Sequence, residues 1–261
     1  MFDFHLHTSI SFDSEEKAEN MVKKAEEIGL KEICFTDHYD FHDIDDTLHN
    51  LFSLEDYKNA YDHLTSEKVK LRRGVEMGLT YKFKKETEEF LAKRDFDFVI
   101  GSVHYAGGHD PYFPEFWSDI TLEEATKKYL EVTLDCVKIH DNFDVLGHLT
   151  YVFKSAHNPL HKALPYIDIK DLSDEIMKVL VAKGKGMEIN TSGVDRAGSF
   201  LPSCDYLKRF KDLGGEIVTI GSDAHDITRI GQYSKEALEI VKDIFGYVCT
   251  FENRKPIFHK L

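Results

Sequence analysis

The chain alternates about seven times between short apolar runs and charged, amphipathic stretches of helical period. The apolar runs, rich in β-branched and aromatic residues, are Phe2–Thr8, Ile33–His38, Leu71–Gly78, Phe96–His104, Val145–Thr150, Gly186–Ser192 and Ile217–Asp223. The stretches between them are Ser14–Gly29, Leu54–Ser66, Lys85–Arg94, Leu122–His140, Leu172–Lys183, Cys204–Leu213 and Tyr233–Phe245. Strands that alternate with helices in this way form a parallel sheet. The pattern therefore predicts an α/β fold, either an open doubly wound sheet or a closed barrel.

The first amphipathic stretch has the spacing of a buried helix face. Its apolar positions follow the i, i+3, i+4, i+7 rule and are Ala18, Met21, Val22, Ala25 and Ile28. Asp13 or Ser14 can cap the start of this helix, and Gly29 can end it. We therefore expect the first helix to follow the first strand after a short turn.

Nearly every apolar run ends in a histidine or a carboxylate. The candidate side chains are His5, His7, Asp13, His38, Glu76, His104, His148, Asp223 and His225. A barrel assembles its site from the carboxyl ends of many strands, whereas an open sheet gathers its site at one switch point. This distribution favours the barrel. It also predicts that three long irregular segments, Tyr39–Ser53, Tyr105–Ile120 and Tyr151–Lys170, are loops around the site.

The two histidines of the first run are separated by one residue. On a strand, residues i and i+2 point to the same side, so His5 and His7 can converge on one metal ion. Taken singly, such residues also have structural explanations. Asp37 can accept backbone amides at a turn, Glu76 can pair with a lysine, and Asp13 can serve as a helix cap.

The number of candidate ligands indicates more than one metal. Six histidines and three carboxylates exceed the four ligands of a single zinc, so we expect two or three divalent ions. Mixed imidazole and carboxylate donors suit Zn, Mn or Fe better than Mg or Ca.

In their order, these motifs resemble the polymerase and histidinol phosphatase (PHP) superfamily over nearly the whole chain. The matching motifs are H-x-H-T at His5–Thr8, T-D-H at Thr36–His38, G-x-E at Gly74–Glu76, S-x-H at Ser102–His104 and S-D-A-H at Ser222–His225. Within the superfamily the chain is most similar to the monofunctional histidinol-phosphate phosphatases, on its length and on Phe12-Asp13, Phe35–Tyr39, Ile100–Tyr105 and Glu188–Gly193. The resemblance implies a distorted, TIM-like (β/α)7 barrel with a trinuclear metal site at the carboxyl ends of the strands.

The resemblance also implies a role for each ligand. It assigns His5, His7, Glu76 and Asp223 to the first metal, Glu76, His104 and His148 to the second, and Asp13, His38 and His225 to the third. Many superfamily members have histidine where this chain has Asp13.

The implied activity is hydrolysis of L-histidinol phosphate to L-histidinol and phosphate in histidine biosynthesis. We expect a metal-bridging hydroxide as the nucleophile, with Glu76, Asp223 and His225 as catalytic residues. Another PHP phosphoesterase activity, on nucleotides or phosphodiesters, is the alternative. A non-catalytic binding barrel would show eroded ligands, and an amidohydrolase would not explain the T-D-H and S-x-H motifs together.

Four further residues are candidates for substrate binding. Arg196 can clamp two phosphate oxygens, although an ion pair with Asp195 is equally compatible with the sequence. Lys154 is a second phosphate candidate or a solvated loop lysine. Asn190 and Ser192 can line the pocket by strand alternation, or serve turn chemistry at the strand end.

Composition limits the partners. The formal net charge is −14, from 33 basic and 47 acidic residues, which disfavours a nucleic-acid partner and favours a small phosphorylated substrate. The sequence shows no leader and no membrane-spanning run, so we expect a cytoplasmic protein, a monomer or homodimer, with residues 1–261 forming one domain.

Overall fold

Seven parallel β-strands form the central sheet in the computed structural model, which describes residues 1–45 and 49–261. The strands in this part of the chain are β1 (Phe2–Leu6), β2 (Glu32–Phe35), β3 (His38–Tyr39), β4 (Lys70–Gly78), β5 (Phe98–Ser102), β6 (Val145–Leu146), β7 (Gly186–Asn190), β8 (Val218–Gly221), β9 (Tyr247–Glu252) and β10 (Lys255–Lys260). The sheet order is β1-β2-β4-β5-β6-β7-β8, with the short β3 paired to β4. Each predicted strand run overlaps one of these seven strands.

Helices alternate with the strands along the chain. Within the described ranges they are α1 (Ala18–Ile28), α2 (Leu54–Tyr61), α3 (Lys84–Leu91), α4 (Leu122–Ile139), α5 (Lys170–Ala182), α6 (Val194–Ala197), α7 (Cys204–Asp212) and α8 (Ser234–Phe245). Every residue of β1, β5 and β7 is buried, as expected for a parallel sheet whose two faces are both covered. Among the residues described, no helix is long and apolar enough to cross a membrane.

Hydrogen bonds between β1, together with the residue that follows it, and the residues that follow β8 close the sheet. The His7 amide donates to the Ala224 carbonyl at 2.9 Å, and the Asp223 amide donates to the His5 carbonyl at 2.9 Å. The buried Asp3 carboxylate accepts from the Ser222 amide at 2.8 Å. The predicted distorted barrel is confirmed. Its closure holds the residues that follow β8 beside those that follow β1.

The first helix begins later than predicted. Helix α1 starts at Ala18, its N-cap position is Lys17, and neither Asp13 nor Ser14 caps it. The Ser14 hydroxyl instead donates to the His225 carbonyl at 2.7 Å, which fixes the loop against the end of the barrel. The predicted end is confirmed, because Gly29 adopts a left-handed conformation with φ of 73°.

The predicted second helix is too long. Helix α2 ends at Tyr61 instead of Ser66. The Ser66 hydroxyl accepts from the Val69 amide at 3.0 Å and donates to Glu26 at 2.6 Å, so this residue forms a turn that leads into β4.

The sequence did not reveal the antiparallel hairpin of β9 and β10. Its turn has no glycine, and Asn253 and Arg254 take positive φ values of 50° and 63°. The Arg254 amide donates to the Asp97 carbonyl at 2.9 Å, and its guanidinium donates to Asp144 at 2.5 Å. Asp97 and Asp144 immediately precede β5 and β6, so the hairpin covers the amino ends of the strands and leaves the carboxyl ends open.

Candidate metal centre

Glu76 lies among histidines at the carboxyl ends of the barrel strands. It is fully buried in β4. The imidazole nitrogens nearest its oxygens are His5 Nε2 at 3.1 Å, His7 Nε2 at 3.4 Å and His38 Nδ1 at 3.0 Å from Oε2, with His104 Nε2 at 3.3 Å and His148 Nε2 at 2.8 Å from Oε1. The alternative lysine partner of Glu76 is therefore wrong. One carboxylate stands between two sets of histidines, the arrangement that a bridging ligand requires.

Asp223 completes the first set with His5 and His7. Its Oδ1 lies 3.3 Å from His7 Nε2 and 3.8 Å from His5 Nε2. Asp223 has a left-handed backbone with φ of 55°, a conformation that aspartate tolerates better than most residues. The hydrogen bond from its amide to the His5 carbonyl holds this turn against β1. Side chains from opposite ends of the sequence thus meet where the barrel closes.

Asp13 lies between His38 and His225. Its Oδ2 is 3.0 Å from His225 Nε2 and 3.6 Å from His38 Nε2. The His7 ring stacks between the same two imidazoles, with centroid distances of 4.2 and 4.1 Å. The alternative of Asp13 as a helix cap is wrong, because its carboxylate is directed at these histidines and α1 begins at Ala18.

Several nitrogen and oxygen atoms of the kind that bind metals are buried in this cluster without a hydrogen bond. Within the described residues, His5 Nε2, His7 Nε2, His38 Nδ1 and Glu76 Oε2 have no hydrogen-bond partner. Buried polar atoms are almost always paired, so four that converge need a further partner. Imidazole nitrogens and carboxylate oxygens are the ligands preferred by zinc, manganese and iron. Groups of three such donors lie within 4.8 Å of one another, including His5–His7–Asp223 and His5–Glu76–His148. The residues therefore fit divalent transition-metal ions.

The family assignment follows from comparison of the whole chain with known proteins. A family model described as PHP domain matches residues 3–192. The chain belongs to the PHP domain family. The match runs from within β1 to just past β7, and thus includes most of the converging side chains.

Relatives cover this PHP chain over nearly its full length. A histidinol-phosphatase from Lactococcus lactis subsp. lactis is 35% identical over 261 residues, which cover 97% of this chain and 95% of that protein. A probable histidinol-phosphatase from Clostridium acetobutylicum is 31% identical, with 99% and 96% covered. A crystal structure of histidinol phosphate phosphatase from Lactococcus lactis, complexed with zinc, L-histidinol and phosphate, superimposes with a TM-score of 0.87 at 32% identity and 98% coverage of both chains.

Two carboxylates outside the predicted ligand set orient histidines of this PHP site. Glu188 Oε1 lies 2.7 Å from His5 Nδ1, and Asp40 lies 3.1 Å from His104 Nδ1. A carboxylate that accepts from Nδ1–H places the proton there and leaves Nε2 free to bind a metal. Neither carboxylate has a role that the sequence motifs predict. For Glu188 a signal existed, since it alternates with Asn190 on a strand that ends at the site.

Neighbouring charged groups shift the pKa values of Glu76 and His104. Burial alone would raise the pKa of Glu76, but His5, His38 and His104 hold it well below its usual range. Burial opposes the charged form of His104, yet Asp40 and Glu76 raise its pKa to about 10. A field that favours a proton on buried imidazoles also favours a divalent cation between them.

A cavity of about 490 Å³ opens directly over the cluster. Six of the predicted ligands form its floor: Asp13, His38, His104, His148, Asp223 and His225. Its walls include Tyr105, Tyr112, Tyr151 and Lys154, which come from the predicted loops, and Arg196, which lies in α6 after β7. Of the loop 39–53, residues 46–48 lie outside the described part of the chain. The volume suits a small molecule.

Lys154 binds the ligand Asp223 from the cavity side. Its Nζ lies 2.6 Å from Asp223 Oδ2, and its side chain is only 15% exposed. The alternative of a solvated loop lysine is therefore wrong. Burial would raise the pKa of Asp223, but Lys154 and His5 lower it well below its usual range. Lys154 thus keeps Asp223 ionised while its ammonium faces the cavity.

Arg196 also lines the cavity, and its neighbour Asp195 is engaged elsewhere. The Arg196 guanidinium lies 5.0 Å from the centroid of the Tyr112 ring. Asp195 Oδ2 accepts from Arg229 at 2.6 Å, and its Oδ1 accepts from Tyr233 at 2.6 Å. Asp195 therefore pairs with Arg229 and Tyr233, and the alternative, an ion pair with Arg196, is wrong.

Ser192 and Asn190 occupy different levels of the site. Ser192 lines the cavity, and its hydroxyl lies 3.1 Å from Asp223 Oδ2. Asn190 is fully buried below it and is not part of the cavity wall. Its amide donates to Glu188 at 3.2 Å and to Asp223 at 3.4 Å. Both residues contact Asp223, but only Ser192 is placed to meet a substrate.

Proposed function

We propose that this chain is a metal-dependent phosphomonoesterase that hydrolyses L-histidinol phosphate to L-histidinol and phosphate. The observation that carries the proposal is the complete set of nine ligand side chains beneath one cavity. Two histidinol-phosphatase relatives, at 35% and 31% identity over nearly the whole chain, support the choice of substrate. Because these alignments run from end to end, we further propose that residues 1–261 form one domain.

We propose that the site holds two or three divalent ions, zinc among them. The first would be held by His5, His7, Glu76 and Asp223, the second by Glu76, His104 and His148, and a third by Asp13, His38 and His225. Zinc in the related Lactococcus structure supports this metal, and manganese or iron are the other ions that suit these donors. Bound metals lower the pKa of water to about 7 and neutralise phosphoryl charge. Glu76, Asp223 and His225 are proposed as catalytic because they would hold the ions that supply this chemistry.

The residues of the cavity wall would bind the phosphate. Arg196 can donate two parallel hydrogen bonds to phosphate oxygens, and stacking on Tyr112 limits the motion of its guanidinium. Lys154 adds a second positive charge beside Asp223. The Ser192 hydroxyl supplies a neutral donor at the same rim. Together they would supply local attraction for the phosphate in a protein whose net charge of −14 otherwise repels an anionic substrate.

Asn190 has a different proposed role from the one expected of a pocket residue. Its buried amide bridges Glu188 and Asp223, and so it would fix the orientation of two carboxylates below the substrate.

The proposal is tested with a panel of phosphate esters assayed on protein loaded with zinc or with manganese. The panel contains histidinol phosphate, a mononucleotide and a phosphodiester. The proposal expects kcat/KM to be highest for histidinol phosphate. Preference for the nucleotide or the diester would identify another PHP phosphoesterase, and turnover by protein stripped of metal would refute the metal-dependent mechanism.

A further inference from the structure

Ser11 connects two ligand-bearing segments below the floor of the cavity. Its side chain is buried, and its Oγ has three polar neighbours. Asp37 Oδ1 lies at 3.0 Å, His7 Nδ1 at 3.0 Å and the backbone nitrogen of His38 at 3.1 Å. Neither Ser11 nor Asp37 belongs to the ligand set described above, and neither lines the cavity.

The protons of this group can be assigned from the donors alone. Asp37 Oδ1 accepts from the Thr8 amide at 2.7 Å. The hydroxyl oxygen of a protonated carboxyl group is a poor acceptor, so any carboxyl proton would sit on Oδ2, and Oδ1 acts as an acceptor. The single proton of the Ser11 hydroxyl must therefore point to Asp37. The His38 amide can only donate, and it fills one lone pair of Ser11 Oγ. The remaining lone pair must accept a proton from His7 Nδ1.

This assignment fixes the tautomer of His7. With the proton on Nδ1, a neutral His7 presents a bare lone pair at Nε2. Nε2 is buried and faces Asp223 Oδ1 at 3.3 Å and Glu76 Oε2 at 3.4 Å. Three electron-rich atoms at these distances repel one another unless a cation lies between them.

We propose that Asp37 and Ser11 are positioning residues that hold His7 in its metal-binding tautomer. Asp37 orients the Ser11 hydroxyl, and Ser11 then accepts from His7 Nδ1. Asp37 is itself anchored, because its Oδ2 accepts from the buried Tyr61 hydroxyl. The proposal rests on the metal-binding role of His7 in the proposed function, and it extends the site to residues that touch neither metal nor substrate.

We call the hydrogen-bond chain from Asp37 through Ser11 to His7 the relay. Four variants of the 261-residue chain test it. Ser11→Ala removes the acceptor for His7, and Asp37→Ala removes the group that orients Ser11. Asp37→Asn keeps the oxygen on the side of Ser11, because the Thr8 amide can only donate to an oxygen there. The exposed Ser9, two residues before Ser11 on the same loop, supplies Ser9→Ala as the matched control.

The first measurement is zinc affinity, by competition with a chelator and metal analysis. Loss of an outer hydrogen-bond partner typically costs 10- to 100-fold in metal affinity. We expect Ser11→Ala and Asp37→Ala to weaken one zinc equivalent by about this factor, with Asp37→Asn much closer to wild type and Ser9→Ala unchanged. Wild-type affinity in Ser11→Ala, or equal losses in Asp37→Asn and Asp37→Ala, would overturn the relay.

The second measurement separates the relay from the proposed function. Long-range ¹H–¹⁵N spectra distinguish protonated from bare imidazole nitrogens, and the metal-free wild-type protein should show His7 protonated at Nδ1. A proton on Nε2 there overturns the relay even if zinc binds and the phosphatase is active. Conversely, a wild-type protein that binds no zinc but keeps the Nδ1 proton refutes the proposed function and leaves the relay standing.

Discussion

His5 Nε2 lies 3.1 Å from Glu76 Oε2, and neither atom has a hydrogen-bond partner among the residues that the structure describes. The other His5 nitrogen faces Glu188 at 2.7 Å, which places the imidazole proton on that side. In its neutral, metal-binding form His5 therefore directs the Nε2 lone pair at a carboxylate oxygen. A divalent cation held by the two atoms would replace this repulsion with attraction, and the pair therefore supports the proposed first metal site.

Replacing Glu76 by glutamine should abolish hydrolysis. The amide keeps the size of the side chain but loses the negative charge that serves two metal positions. Since loss of an outer-shell partner alone costs 10- to 100-fold, loss of the bridging ligand should lower kcat/KM by more than about 100-fold. Steady-state kinetics with histidinol phosphate and metal analysis of the same sample check this.

Glu131→Gln is the matched control for this change. Glu131 lies on the exposed face of α4, where it pairs only loosely with Lys127 at 3.8 Å. It should retain full activity and metal content. Activity in Glu76→Gln at the level of Glu131→Gln would exclude a bridging role for Glu76.

Metal removal should lower stability as well as activity, because the ligands come from strands distributed around the barrel. A ligand at 1,000 times its dissociation constant stabilises the folded state by about 4 kcal/mol per site. Dialysis against a chelator should therefore lower the melting temperature by roughly 10 °C, and added zinc should restore it. Calorimetry with and without zinc measures the shift. An unchanged melting temperature after verified metal loss would count against metals that link the strands.

The convergence of the predicted ligands could be read from the sequence because it depends on strand geometry. The parallel strands end on one edge, and the i, i+2 rule places His5 and His7 on one side. No such rule predicts the role of Asp13, because an aspartate at this distance from the first strand suits a helix cap and a metal ligand equally well. The path of residues 8–17 excludes the helix cap, since the Ser14 hydroxyl ties that loop to the His225 carbonyl and places Asp13 beside His38 and His225.

The outer groups could not be predicted for a different reason. Whether Glu188 and Asp40 reach the Nδ1 atoms of His5 and His104 depends on the rotation of each imidazole ring. Lys154 reaches Asp223 because the chain forms a short 3-10 helix at Tyr151–Lys154, which turns the lysine inward. The sequence pattern specifies the strand ends, but these contacts arise from the packing of loops above them.

Stability away from the site should depend on Asp174. This buried carboxylate accepts from Arg209 Nη2 at 2.7 Å, Lys170 Nζ at 2.6 Å and the Tyr166 hydroxyl. Its hydrogen bonds with Arg209 hold its pKa well below its usual range. Because Arg209 stays one-third exposed and water screens the pair, Asp174→Asn should cost only about 1–2 kcal/mol at pH 7.

The pH dependence of this loss has a defined sign. A carboxyl group with a lowered pKa in the folded state stabilises the protein above its unfolded pKa of about 3.9, and loses that effect as the pH falls. The difference between wild type and Asp174→Asn in urea unfolding should therefore shrink below pH 4. Glu175→Gln, an exposed neighbour paired with Lys178 at 2.8 Å, should behave as wild type. A difference that grows on acidification would contradict this assignment.

Arg196 and Arg229 line the same cavity and provide a paired test of phosphate binding. The Arg196 guanidinium stacks on Tyr112, whereas Arg229 already donates to Asp195 at 2.6 Å. Hydrogen bonds to a charged group contribute about 1.5–3 kcal/mol, so Arg196→Ala should lower kcat/KM for histidinol phosphate about 10- to 100-fold, chiefly through KM. Arg229→Ala should have a smaller effect, because its charge is already balanced. A larger loss in Arg229→Ala would move the phosphate clamp to that residue.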